Sequence, residues 1–377
     1  MIWRSLPPSG NQIVLSSQSG CLPVFEGYRS VWLSSGTAAL ALALMLCRRR
    51  HPEVIQPEVI LPAYACPDLV AAAVYTGVRP TLADVDAADP GFNLTSLQMM
   101  LSPNTIGVVA VNFLGIQERL PELRNLLKAW PAAALIEDDA QWYPEKTGGA
   151  GLQGDLVCLS FGRGKPVSLL GGGALLVREA LAMDAAVELT AKPNEARIKS
   201  LRWKIGAYNA LLNPRFYGLL SRTPFLALGH TVFKPLERVG QLDRYRESLL
   251  GANIDRYLGL SCTAAERIHA MLPHAMDLPA RLGDRSGRLL RYPVLCDDMR
   301  QRNSLWADLN RAGLGASAMY QRPLYEIDRI PDFVQIRTEL PGARRFSERL
   351  LTLPVHGAVG ATDIHRMGEI LQRTGAG

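Results

Sequence analysis

Short apolar runs alternate with helix-forming runs through the first half of the chain. Residues 31–33 are an apolar run with strand character, and the small residues 34–37 separate it from the Ala/Leu-rich stretch 38–44. Alanine and leucine are strong helix formers. Strand, turn and helix in this order predict a βα unit.

The same alternation continues to about residue 177. Strands that alternate with helices imply a mostly parallel sheet with helices on both faces. Ligands of such sheets bind beyond the carboxyl ends of the strands, and polar residues follow strands here at Ser35, Asp138 and Ser160. The further predicted strands are 58–62, 80–85, 106–112, 133–137, 156–161 and 173–177, and the further predicted helices are 68–75, closed by Gly77, and 121–130.

The second half of the chain indicates a smaller second domain. Helical patterns return from about residue 250, and residues 289–295 predict another strand. We therefore expect an α/β fold with a large domain at 1–250 and a small C-terminal α/β domain at 251–377. A chain of 377 residues is long enough to form a deep site between two such domains.

Composition narrows the class of protein. Hydrophobic residues make up 48% and charged residues 20%, as in soluble globular proteins. The six cysteines form no CxxC pair, which favours free thiols in a reducing compartment. The six histidines form no HxH or HExxH motif, so we expect no catalytic metal. Without a signal segment, a spanning apolar run or a nucleic-acid motif, the chain is expected to be cytoplasmic and not to bind nucleic acid.

The stretch 192–234 is unusually basic and aromatic. Two interpretations remain open: a surface that contacts anionic headgroups at the inner face of the membrane, or a helical elaboration whose aromatic residues pack on the domain or on a dimer mate. Its basic residues are opposed only by Glu195. They are Lys192, Arg197, Lys199, Arg202, Lys204, Arg215, Arg222 and Lys234, and the aromatic residues are Trp203, Tyr208, Phe216, Tyr217, Phe225 and Phe233.

Four short segments together suit pyridoxal 5′-phosphate (PLP), a phosphorylated pyridine aldehyde. Gly36 and Thr37, at the start of the 38–44 helix, offer backbone N–H groups to a phosphate, and the hydroxyl of Ser160 could join them. Asp138, after an apolar strand, could pair with the ring nitrogen. Lys165, in a Gly-rich loop, could hold the aldehyde as a Schiff base.

Each segment alone is common, since a Ser-Gly-Thr turn is usually a helix cap. In order and spacing, however, they resemble the DegT/DnrJ-type sugar aminotransferases, a branch of the fold-type-I PLP enzymes. The resemblance covers 31–177 well and 285–370 more loosely. It is carried by Ser35-Gly36-Thr37-Ala38-Ala39-Leu40, Leu61-Pro62, Gly77-Val78-Arg79-Pro80, Asp84-Val85-Asp86, Glu137-Asp138-Asp139-Ala140-Gln141, Ser160-Phe161 to Lys165, Gly171-Gly172-Gly173 and Leu353-Pro354-Val355-His356.

The resemblance implies a role for each matched residue. Lys165 would hold PLP at rest and then shuttle a proton between substrate and cofactor. Asp138 would pair with the pyridinium, Gln141 would lie near the 3-hydroxyl, and Gly36, Thr37 and Ser160 would bind the phosphate. It also implies a homodimer with shared active sites that moves an amino group from glutamate to a nucleotide-linked keto-sugar, in polysaccharide or other glycan biosynthesis.

Three departures from the family pattern lie around these segments. Ala65 and Cys66 stand where the family has Thr or Ser and then an aromatic that covers the cofactor ring, so Tyr64 or Cys66 is expected beside the ring. The family's Asn-Tyr-Arg segment has no clear match, and its late Pro-Leu-His is 323–325, Pro-Leu-Tyr, here. A PLP enzyme acting on a non-sugar ketone or amine, and a non-catalytic regulator or scaffold, are the alternatives.

Overall fold

A seven-stranded sheet forms the centre of the computed structural model, which describes residues 4–16, 22–145, 151–181, 188–192, 200–220 and 231–373. The strands are β1 (Tyr28–Leu33), β2 (Glu58–Pro62), β3 (Arg79–Ala83), β4 (Val85–Asp86), β5 (Asp89–Phe92), β6 (Thr105–Val111), β7 (Ala134–Asp139), β8 (Leu156–Ser160), β9 (Gly173–Arg178), β10 (Tyr292–Leu295) and β11 (Leu350–Leu353).

The α-helices surround this sheet and continue into the second half of the chain. They are α1 (Gly36–Arg50), α2 (Asp68–Thr76), α3 (Leu94–Met100), α4 (Leu120–Leu127), α5 (Leu201–Leu211), α6 (Pro214–Leu220), α7 (Arg244–Leu258), α8 (Thr263–Met271), α9 (Leu278–Leu282), α10 (Met299–Arg311), α11 (Pro341–Arg349) and α12 (Ala361–Arg373).

The sheet is mostly parallel, as the sequence predicts. Its strand order is β1-β9-β8-β7-β6-β2-β3, and every pair from β8 to β3 is parallel. β9 runs antiparallel to both β1 and β8, so β1 points the same way as β8. The carboxyl ends of six strands therefore share one edge of the sheet, where a ligand site is expected.

Helix α1 confirms the helix predicted at 38–44 and extends it. The side-chain oxygen of Ser35 accepts a hydrogen bond from the backbone N–H of Ala38 at 3.0 Å, which caps the first turn. Arginines 48–50 occupy the last turn, where cations suit the helix dipole. Nearly all residues from 38 to 47 are buried, because α1 packs against β8, β9 and α2.

Two predicted strands differ from those observed. The strand expected at 80–85 is divided at Asp84, whose carboxylate accepts the N–H groups of Gly342 and Ala343 at 2.8 and 2.7 Å and so caps α11. The strand expected at 289–295 begins only at 292. The N–H of Leu290 donates to the carbonyl of Leu114 at 3.0 Å, which draws the preceding residues onto the large sheet.

A separate apolar core lies around the two-stranded sheet of β10 and β11. It contains buried residues of α8, α10 and α12, together with Leu6 from the N-terminal segment. The domain division at residue 250 stays a prediction. Residue 250 itself lies within α7, whose Leu249, Ile254 and Tyr257 pack in the core of the large sheet.

The basic stretch 192–234 forms α5 and α6 where the structure describes it. Trp203 is 84% exposed, and Phe216 is exposed too, whereas Tyr208 and Phe233 are buried. Phe233 packs on Phe333 with ring centroids 5.3 Å apart. Arg197, Lys199, Arg222, Phe225 and Glu195 lie outside the described residues.

Neither a membrane span nor a metal centre is evident in the described ranges. None of their helices combines the length and apolar character needed to span a membrane. Within the same ranges, His, Cys, Asp and Glu form no group of three or more that could hold a metal ion.

Candidate active site

Gly36, at the start of α1, meets Ser160, at the end of β8. A Cβ atom placed on Gly36 would lie 2.6 Å from the Cβ and 2.8 Å from the Oγ of Ser160. Gly173 is equally tight, because its Cβ would lie 2.6 Å from the carbonyl oxygen of Ser35. The N–H groups of Gly36 and Thr37 open a helix and so have no acceptor within it. With the Ser160 hydroxyl they form a cradle suited to a phosphate.

The loop that carries Lys165 is held at both of its ends. The carbonyl of Phe161 accepts hydrogen bonds from the N–H groups of Leu169 at 2.8 Å and Gly171 at 3.1 Å. Leu170 (φ 57°), Gly171 and Gly172 have positive φ angles, which turn the chain and close the loop. A Cβ on Gly162 would lie 3.6 Å from Lys165 Cγ and 3.5 Å from Ser160 Oγ, so the half-buried lysine lies beside the phosphate cradle.

Asp138 lies on β7, next to β8, and is 7% exposed. One of its oxygens accepts a hydrogen bond from the N–H of Ala140 at 3.0 Å. Burial raises the pKa of Asp138, while the Ala140 N–H and the Lys165 ammonium oppose that rise. The Asp138 carboxylate and the Lys165 amine, two of the predicted site residues, are therefore close enough to interact electrostatically.

The neighbours of Asp138 on β7 point to the opposite face of the sheet. Glu137 accepts the N–H groups of Gln153 and Gly154 at 2.8 and 2.7 Å, and Asn112 donates to both Glu137 and Asp139. The second oxygen of Asp139 has no hydrogen-bond partner among the described residues. Burial and the charge of Glu137 raise the pKa of Asp139 well above its usual value.

Gln141 is buried between two residues with unusual backbone conformations. Its Oε1 accepts the N–H of Leu114, and its Nε2 donates to the hydroxyl of Tyr320, both at 3.0 Å. Leu114 (φ 57°) and Tyr320 (φ 42°) both occupy the left-handed region, which is costly for side chains with a Cβ. Sequence analysis missed Tyr320, since nothing in the sequence connects it with a residue 179 positions earlier.

The two residues expected near the cofactor ring differ in the groups that surround them. Tyr64 is 2% exposed, donates its hydroxyl hydrogen to the carbonyl of Met319, and packs in a cluster of aromatic rings. Burial raises the pKa of the Cys66 thiol to about 12, with Asp68 adding to the rise and Lys165 opposing it. Cys66 is therefore a neutral thiol in the electrostatic field of Lys165.

Asp68 adds a negative charge that sequence analysis did not anticipate. It is the exposed first residue of α2, and its carboxylate accepts the hydroxyl hydrogen of Thr37 at 3.2 Å. Its charge also raises the pKa of Asp138. The acid suits the start of a helix, but it stands at the edge of the phosphate cradle.

Comparisons with known proteins match most of the chain. The model of the DegT/DnrJ/EryC1/StrS aminotransferase family matches residues 27–211 and 264–372. A UDP-N-acetyl-3-dehydro-alpha-D-glucosamine 3-aminotransferase from Acidithiobacillus ferrooxidans is 24% identical over 348 residues, which are 91% of this chain and 84% of the relative.

Solved structures share the fold at lower identity. A Streptococcus pneumoniae protein in its PLP form is similar with a TM-score of 0.63 at 19% identity, over 91% of this chain and 87% of the other. A 3-amino-5-hydroxybenzoic acid synthase is similar with a TM-score of 0.65 at 21% identity, over 92% of this chain and 87% of the other.

Proposed function

This chain belongs to the DegT/DnrJ/EryC1/StrS aminotransferase family, which uses PLP, and we propose that it transfers an amino group from glutamate to a nucleotide-linked keto-sugar in polysaccharide or other glycan biosynthesis. The observation that carries this proposal is the convergence of Lys165, buried Asp138 and the cradle of Gly36 and Ser160 at the carboxyl edge of the sheet.

These residues fit PLP in kind and placement. When bound, PLP supplies an aldehyde that reacts with amines and a protonated ring that withdraws electrons. The N–H groups of Gly36 and Thr37, with the Ser160 hydroxyl, would hold the phosphate. Asp138 would accept a hydrogen bond from the ring nitrogen and keep it protonated.

Two further residues would act on the reacting side of the site. Nε2 of Gln141 has a second hydrogen beyond the one that Tyr320 accepts, and it would donate this hydrogen to the 3-hydroxyl oxygen. The Lys165 amine, once free of the cofactor, would carry a proton between the substrate carbon and the aldehyde carbon of the cofactor. Nucleophile and proton carrier are thus the same group.

The substrate class rests on the Acidithiobacillus relative, whose name describes a nucleotide-linked keto-sugar. A non-sugar ketone is the second candidate, because a 3-amino-5-hydroxybenzoic acid synthase, whose name describes no sugar, has the same fold. Presence of Asp138, Gln141, Ser160 and Lys165 together argues against a non-catalytic regulator or scaffold, which would not need to retain them.

Uptake of PLP and a half-reaction test the activity. The purified protein should absorb near the violet edge, and borohydride should fix PLP to Lys165, detected by mass spectrometry of the peptide. Lys165→Ala should lose this adduct, with Lys204→Ala, on α5, as the control. Absence of PLP uptake by the wild type would exclude both enzymatic candidates.

Acceptor specificity separates the two candidates. Glutamate should bleach the violet band, and a UDP-linked 3-keto-sugar should restore it. Recovery with non-sugar ketones but with no keto-sugar nucleotide would favour the second candidate.

The homodimer and the cellular location remain part of the proposal. Trp203, Phe216 and Leu219 form an exposed apolar surface on α5 and α6, which would pack on a second copy of the chain in the cytoplasm. The alternative is peripheral contact with the membrane. Light scattering measures the dimer, and Trp203→Ser with Phe216→Ser should weaken it; co-sedimentation with anionic liposomes at low salt, lost in the same variant, would instead support the membrane.

A further inference from the structure

Arg291 is a buried guanidinium that forms no ion pair with the described residues. It directly precedes β10 and is 6% exposed. Its Nε and one terminal nitrogen, Nη2, have no hydrogen-bond partner among the described residues. Burying a charge without a partner is costly, so an arginine in this state points to a ligand that supplies the missing acceptor.

Within the described ranges, no carboxylate is among the groups that act most strongly on Arg291. The groups that act most strongly on it are the phenols of Tyr64, Tyr217 and Tyr320. Burial lowers the pKa of Arg291 to about 10, which still leaves it cationic at neutral pH. The nearby His356 adds no positive charge, because burial lowers its pKa, and the charge of Arg291 contributes to that shift.

Arg291 is fixed next to the candidate active site by its neighbour Leu290. The N–H of Leu290 donates to the carbonyl of Leu114, and the N–H of Leu114 donates to Gln141. Tyr320 is a second link between Gln141 and Arg291. Its hydroxyl accepts a hydrogen bond from Gln141, and its phenol lies near the guanidinium.

This position lies away from the phosphate cradle. Gln141 is hydrogen-bonded to Leu114, which follows β6, whereas Ser160 lies at the end of β8. Strand β7, which carries Asp138, lies between β6 and β8. The cofactor phosphate and Arg291 would therefore flank Asp138 on opposite sides. Arg291 lies on the side where the 3-hydroxyl, and beside it the reacting aldehyde, would be.

We propose that Arg291 binds a carboxylate of the amino donor; this inference rests on the proposed function. The planar guanidinium fork matches a carboxylate in two parallel hydrogen bonds. One guanidinium among neutral phenols balances one negative charge. A nucleotide diphosphate would bring more negative charge than this site compensates, so a carboxylate fits better.

Binding of unreactive anions tests the assignment without turnover. Glutarate, a dicarboxylate, and UDP are titrated calorimetrically into the PLP-loaded wild type, Arg291→Gln, Arg291→Lys and Arg302→Gln. Arg302 is a matched control, because it is also buried but donates to the carbonyl of Ser347. Arg291→Gln should weaken the binding of glutarate by about thirtyfold or more, as for removal of one partner of a buried charge pair. Arg291→Lys should lose less affinity for glutarate, and the affinity for UDP should be the same in all four proteins.

Folding and cofactor loading are checked separately. Removing an unpaired buried charge should not lower the stability of the apoprotein, and Arg291→Gln should still form the borohydride adduct at Lys165. If PLP is not taken up at all, the proposed function fails. If PLP is taken up but glutarate binds wild type and Arg291→Gln equally, or if only UDP binding is lost, the assignment of Arg291 is overturned and the proposed function stands.

Discussion

Gly36→Ala should disrupt the phosphate cradle through a single methyl group. The added Cβ would lie 2.6 Å from the Cβ of Ser160, whereas ordinary contacts of this kind begin at 3.4 Å. Either Ser160 or the start of α1 must therefore move by about 0.8 Å, the difference between these two distances. Ser160 cannot move freely, because β8 pairs it with Gly173 of β9.

Two energies follow from this displacement. Overpacking of this kind typically lowers the free energy of unfolding by about 1–3 kcal/mol. A hydrogen bond to a charged group contributes about 1.5–3 kcal/mol, and about 1.4 kcal/mol is a tenfold change in affinity. Loss of one phosphate hydrogen bond should therefore raise the Kd for PLP by about tenfold or more.

Denaturant titration of the apoprotein and fluorescence titration with PLP measure both effects. Gly206→Ala, on exposed α5 with open space around its Cβ position, is the control and should stabilise the helix by up to about 1 kcal/mol. Adding Ser160→Gly to Gly36→Ala should recover much of the stability lost, with a coupling of about 1 kcal/mol, but not the PLP affinity. A wild-type Kd for PLP in Gly36→Ala would refute the phosphate cradle. Strictly additive changes in the free energy of unfolding of the single and double variants would refute the contact between residues 36 and 160.

Three further variants test the charges and hydrogen bonds of the site. Asp68→Asn should bind PLP about fivefold more tightly, since two unit charges about 4 Å apart in water interact by about 1 kcal/mol; equal Kd values in a fluorescence titration would contradict the placement of the phosphate. The raised pKa of folded Asp139 means that the contribution of this carboxyl to the stability of the wild type falls as the pH rises above about 4, the pKa of an unfolded Asp. The Asn in Asp139→Asn does not titrate, so the free energy of unfolding of this variant should rise relative to that of the wild type as the pH rises, by at most about 1.4 kcal/mol per pH unit in denaturant titrations. Parallel pH curves of the two proteins would count against a raised pKa of Asp139. Tyr320→Phe removes the acceptor of Gln141 Nε2 and should lower the free energy of unfolding by about 1–2 kcal/mol; an unchanged value would show that this amide finds another partner.

Much of the sheet could be predicted because local patterns determine it. The strand predicted at 58–62 is β2 to the residue, since a buried parallel strand is a continuous apolar run. Gly77 ends α2 with a left-handed φ of 67°, as a helix-closing glycine should. The order of segments along the chain also placed Ser35, Asp138 and Ser160 at one edge, because parallel strands share their carboxyl ends.

Long-range contacts set the parts that could not be predicted. The division of β3 from β4 depends on Asp84 capping a helix that begins more than 250 residues later. Tyr320 and Arg291 join the site only through the packing of the C-terminal part on the large sheet. Asp68 looks like an ordinary acid in the first turn of a helix, and only its hydrogen bond to Thr37 shows that it borders the cradle.

Two segments that contain departures from the family pattern, separate in sequence, contact each other in the fold. The N–H of Leu324, inside the Pro-Leu-Tyr segment, donates to the carbonyl of Ala63 at 2.8 Å, just after β2. Tyr64 adds a hydrogen bond to Met319 and an edge-to-face contact with Tyr320. The residues after β2 therefore cannot change without affecting residues 319–325.

The residues that match the family pattern and those that depart from it lie in different parts of the sheet. The groups that would hold the cofactor lie on β7, β8 and the start of α1, whereas the departures lie on the β2 side and on the segment that covers it. Binding of the cofactor requires particular side chains, whereas a change of substrate requires only a different shape of the substrate pocket. We therefore expect the acceptor specificity of this enzyme to be determined at Cys66 and Tyr320 together, with effects of paired substitutions that are not additive.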